Sequence, residues 1–117
     1  MKTLTPSEVA QFREEGYVAL PDFYSADEVA ALRAELARLQ REGLLRNVAT
    51  DGDGKTTSQT TTNLQLCPMS PHSALFRAMP FDAKVVAAVR QLIGDPVILH
   101  LDQQIKKAGK VVDSIIA

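Results

Sequence analysis

A chain of 117 residues has room for one domain with a modest core and none for a second full domain. Apolar residues make up 45% and charged residues 23%, ordinary globular proportions that exclude a disordered tail or a fibrous repeat. Thirteen Lys and Arg against fourteen Asp and Glu leave a net charge of −1, without the basic footprint of a nucleic-acid binder, and Cys67 as sole cysteine excludes an intrachain disulfide and a thiolate zinc cluster.

The opening Met1-Lys2-Thr3-Leu4 carries no apolar signal core, and no apolar run approaches the roughly 18–20 residues that cross a bilayer. The expectation is a cytoplasmic protein with no membrane and no nucleic acid among its partners.

Thr5-Pro6-Ser7-Glu8 reads as a helix start, with Thr5 as N-cap, Pro6 in the first helical position and Glu8 completing a capping box. Val9 and Phe12 give that helix its apolar side, and Gly16 suits the left-handed residue that ends it. Tyr17-Val18-Ala19-Leu20 then predicts a short strand closed by Pro21.

Ser25-Ala26-Asp27-Glu28 repeats the capping box and opens a longer helix to about Glu42, before Gly43. Val29, Leu32, Leu36 and Leu39 draw one apolar stripe along it, which reads as core because sustained heptads are absent.

From Thr50 to Asn63 there are six threonines, two glycines and no apolar residue, so residues 50–63 read as a flexible Thr/Gly-rich loop. Asp51-Gly52-Asp53-Gly54-Lys55 has the look of a calcium loop. Thr56 stands where that loop needs glycine and Thr62 where it needs a bidentate glutamate, so calcium binding is set aside.

Ser70-Pro71 predicts a cap for a short helix over His72–Met79, and Asp82 a cap for another over Ala83–Ile93. Val85, Val86, Val89, Leu92 and Ile93 form the second helix's expected buried side. Val97 to Lys106 alternates as a strand, with Val97, Leu99, Leu101 and Ile105 toward the core and His100, Asp102, Gln104 and Lys106 on a polar face.

His100-Leu101-Asp102 places an imidazole and a carboxylate two residues apart, as in a facial site for ferrous iron. His72 is the only other histidine, and a metal site built from His72, His100 and Asp102 stands as a reading beside the plainer one of a half-buried polar strand.

Several segments in their order resemble the amino-terminal portion of the phytanoyl-CoA dioxygenase family. They are Leu4-Thr5-Pro6, Gln11 to Val18, Leu20 to Ser25, Glu28 to Arg33, Asn63-Leu64, Ser70 to Pro80, Val86 to Gly94, and Asp102 to Lys106. The resemblance covers about residues 4–110 and implies an α+β chain. It would hold the helical part and first strands of a double-stranded β-helix (cupin-like, jelly-roll) oxygenase fold, truncated to a single partial domain over residues 1–117.

By the same resemblance the parent reaction uses Fe(II) and 2-oxoglutarate to hydroxylate a small organic or acyl-CoA substrate. Lys106 corresponds to a lysine that helps hold the 2-oxoglutarate, although Lys107-Ala108 stands where the family has prolines. His100 and Asp102 fall in the strand before the family's metal motif. No His-x-Asp follows in Gly109 to Ala117, so no catalytic residue and no metal ligand is assigned, and the cofactors are not expected to bind stably to this chain alone. The rival reading is a non-catalytic interaction module whose exposed strand edges pair with a second copy or a complementary fragment.

Overall fold

The structure is a computed structural model that describes residues 3–106 together with the backbone of residues 107 and 114–116. Helix α1 (Pro6–Glu15) begins as expected: the Thr5 hydroxyl accepts from Glu8 N, Glu8 Oε1 accepts from Thr5 N, and Gly16 closes it at φ 82°. Helix α2 (Ala26–Arg41) starts on the same reciprocal pair between Ser25 and Glu28. Gly43, at φ 71°, lets the chain reverse so that Leu44 N reaches Leu39 O at 3.2 Å.

The predicted strand Tyr17–Leu20 is absent. The segment pairs with no other strand and Tyr17 is exposed, so β propensity finds no ladder to join. The third helix also differs. Helix α3 (Ala74–Ala78) is shorter than predicted and is capped by Ser73, whose hydroxyl accepts from Phe76 N, rather than by Ser70. A 3-10 turn over Met79–Phe81 follows, and Asp82 then caps α4 (Ala83–Ile93) through Lys84 N, as read. On α4 it is Ala88 that is buried; Val85, Val86, Val89 and Leu92 are half-buried, while Ile93, expected inside, is exposed.

Four strands form one antiparallel sheet in chain order: β1 (Arg46–Asn47), β2 (Asn63–Leu66), β3 (Gln103–Lys107) and β4 (Ser114–Ile116). Strand β3 is half the length predicted, since residues 97–102 join no ladder. The core forms where α2 and α3 cover one sheet face, with Leu36, Leu39, Leu66, Met69 and Phe76 buried together. Of the predicted α2 stripe, Leu36 and Leu39 are buried, Leu32 is half-buried and Val29 is exposed. Helix α1 packs on α4, and Leu4 N donates to Gln91 Oε1 at 3.0 Å.

Polar side chains organise the 50–63 loop. Thr50 and Thr57 form an antiparallel bridge, and Asp53 accepts from Lys55 N, Thr56 N and the Thr56 hydroxyl. The buried Ser58 hydroxyl accepts from Thr60 N and Thr61 N, and the Asn47 amide spans Ser58 O, Thr61 O and Asn63 N. Three hydrogen bonds hold the Asp53 carboxyl at about 2, with the Thr56 hydroxyl the largest contributor.

Candidate functional site

Register decides which side of the sheet each polar residue takes. Leu66 lies opposite Gln104 and Leu64 opposite Lys106, and Leu66 belongs to the core under α2. Side chains alternate along a strand, so Gln104 and Lys106 share the helix-covered face. Gln65 lies opposite both Arg46 and Ile105, which puts Arg46, Asn63, Gln65, Gln103 and Ile105 on the other face, away from the buried cluster under α2 and α3.

At Asp102 and Gln104 the face expected outside is therefore the inward one. Before the strand the expected direction holds, with Val97 and Leu99 half-buried and His100 exposed. Asp102 is 4% exposed and Gln104 1%, whereas Leu101 and Ile105, expected in the core, are half-buried. The reason is local: the segment comes down onto the Cys67–Ser73 turn, where Asp102 Oδ1 accepts from Met69 N at 3.3 Å, and that bond fixes the carboxylate inside.

Lys106 stands at the outer end of the covered face and donates from Nζ to Gln40 Oε1 of α2 at 2.8 Å, an exposed contact. Its neighbour Lys107 takes the opposite register position, across from Asn63.

The predicted metal trio does not assemble. His100 is exposed while Asp102 is buried, and His72 is exposed on the turn before α3, where its carbonyl accepts from Arg38 Nη2 at 3.0 Å. Arg38 is itself held by Glu35 and by Glu42 Oε2 at 2.8 Å, so the contact at His72 is a strut between α2 and the turn. Among the described residues no three His, Cys, Asp or Glu side chains are grouped to hold a metal ion, and the donors present do not fit an iron centre. No helix among the described residues is long and apolar enough to cross a membrane.

Two features of this region escaped sequence reasoning. Strands β1 and β2 are two and four residues long and sit beside a polar loop, so they offer too little alternation to detect. Met69, fully buried, gives no periodic signal because it lies in a turn.

With helices packed on one side of an antiparallel sheet, the arrangement is a two-layer α+β packing. The family model for phytanoyl-CoA dioxygenase matches residues 12–114, and the chain belongs to that family, whose fold is cupin-like. It is similar to ectoine dioxygenase of Stutzerimonas stutzeri (strain A1501), with 29% identity over 103 residues, 86% of this chain and 32% of the relative. The ectoine dioxygenase of Sphingopyxis alaskensis is 28% identical over 107 residues, 91% of this chain and 34% of the relative. That of Streptomyces avermitilis is 26% identical over 106 residues, 91% of this chain and 35% of the relative. The chain thus spans about a third of the length of these curated relatives. No solved structure matches it.

Proposed function

We propose that this chain supplies the helical layer and first strands of an iron(II)- and 2-oxoglutarate-dependent dioxygenase that hydroxylates a small polar molecule. The observation that carries the reading is the family match across residues 12–114, laid over a sheet covered by helices on one face only. In such an enzyme oxygen is reduced with release of succinate and carbon dioxide, and one oxygen atom enters the substrate.

The ectoine dioxygenases among its relatives favour a small polar substrate over an acyl-CoA ester. Lys106 is the candidate cation for the 2-oxoglutarate carboxylate, and to reach it the side chain gives up its exposed bond to Gln40.

The 117 residues by themselves are expected to turn over no 2-oxoglutarate, because the His, Cys, Asp and Glu side chains among the described residues make no iron site. The test is succinate formation by the purified chain with Fe(II) and 2-oxoglutarate, against a metal-free blank. Production above the blank overturns the inactive-fragment reading, and its loss in His100→Ala would return that imidazole to the metal.

A second reading, a module that pairs with another polypeptide, is favoured by a specific observation: Ile98 is 83% exposed, Phe81 67% and Ile93 62%. Large apolar side chains at such exposure gain free energy when another surface covers them.

A further inference from the structure

We propose that Asp102 and Gln104 form an internal hydration site, in which one ordered water donates to Asp102 Oδ2 and Gln104 Oε1 and bridges the segment entering β3 to the strand itself. Both side chains are more than nine-tenths buried, and both of these oxygens lack a hydrogen-bond partner. Asp102 has one donor, Met69 N on Oδ1, so half of a buried carboxylate is left without one.

The two residues stand two apart where the chain enters β3, and Leu66 lies across from Gln104. The side chains of Leu66, across from Gln104, and of Met69, whose backbone N–H is already given to Asp102 Oδ1, carry no N–H or O–H to satisfy the two oxygens. What the site needs is a small group with two donors and little volume. Water meets that need, and buried polar atoms left over by secondary structure are commonly satisfied this way. A metal ion is the poorer fit, since it would find one carboxylate and one amide oxygen where hard cations take six or more oxygens. The bond from Met69 N ties this segment to a turn more than 30 residues earlier, and the water would complete the acceptors that this bond leaves over.

The test is a crystal structure of the 117-residue chain at a resolution that shows ordered solvent, together with two variants. A solvent peak within roughly 2.6–3.2 Å of both oxygens is expected in the native chain. Asp102→Asn, which keeps the shape and the spacing, should retain the fold and the peak, because the water then accepts from the new amide and still donates to Gln104 Oε1. Gln104→Met should lose the peak while keeping the Met69 N–H bond to Asp102, visible as unchanged protection of that amide in hydrogen exchange. Three outcomes overturn the proposal: a dry gap between the two oxygens, a reversed Gln104 amide donating straight to Asp102, or an ion with a full coordination shell.

Discussion

Lys84 Nζ lies 2.6 Å from Glu28 Oε1 and so ties the first turn of α4 to the first turn of α2, 56 residues earlier. The same Glu28 oxygen accepts from Ser25 N at 2.9 Å, which makes one carboxylate both a helix cap and an ion-pair partner. A cation in the first turn of a helix opposes the dipole of its own helix. Here the ammonium is compensated by Glu28, by the Phe23 carbonyl at 3.0 Å and by the Tyr24 ring, whose centroid is 4.4 Å away.

The Glu28 carboxyl is held below its ordinary value of 4.5, first by the hydrogen bond from Lys84 and then by that from Ser25 N. A carboxylate lowered in the folded state adds stability that is present above its unfolded pKa and is lost as pH falls through the folded one. Acid should therefore weaken the α2–α4 tie from about pH 4.5 downward. In Lys84→Met the Glu28 titration, followed by carboxyl carbon NMR, should move back up toward 4.5. An unchanged midpoint would show that the pair does not form in solution.

Gly16 and Gly43 sit at φ 82° and 71°, and a Cβ built on either meets nothing within 4 Å. The cost of alanine there is conformational alone, about 1–2 kcal/mol for a left-handed L-residue. Urea unfolding of Gly16→Ala and Gly43→Ala should show that loss, and asparagine, which tolerates the left-handed region, should recover part of it. Equal losses for alanine and asparagine would place the cause elsewhere.

Leu39 and Phe76 are at or near complete burial in the cluster that joins α2, α3 and the sheet. Leu39→Ala should cost about 2–5 kcal/mol and Phe76→Ala about 3–5. Leu32→Ala, on the same stripe but half-buried, should cost clearly less. Denaturant midpoints at constant slope decide this, and a Leu32 variant as damaged as the Leu39 one would mean that α2 is rotated from the orientation described.

Helix starts were readable because they are local. Thr5, Ser25 and Asp82 bond to backbone within three residues of themselves, so the signal and the structure occupy the same few positions. Strands were not, because a strand is made by its partner. Tyr17–Leu20 has β-favouring residues and no ladder, while Asn63–Leu66, beside a run of threonines, gains one from β1 and β3. The face of β3 was misjudged for a related reason. Polar alternation shows that two faces differ, and only the Met69 N–H that receives Asp102 shows which faces inward. The family resemblance, carried by the order of segments, survived these local errors.

Self-association is the expected behaviour of the isolated chain. Ile98 is 83% exposed, Phe81 67% and Ile93 62%, and with Val97 and Leu99 they line an apolar groove between α4 and the segment leading to β3. Sedimentation velocity over a hundredfold concentration range should show the average mass rising with concentration. Ile98→Lys and Phe81→Ser, on side chains with little to lose inside their own fold, should push the equilibrium toward monomer without lowering the thermal midpoint. A native chain that stays monomeric across the range, with one cooperative transition, would count against the pairing module and show that the apolar groove needs no cover.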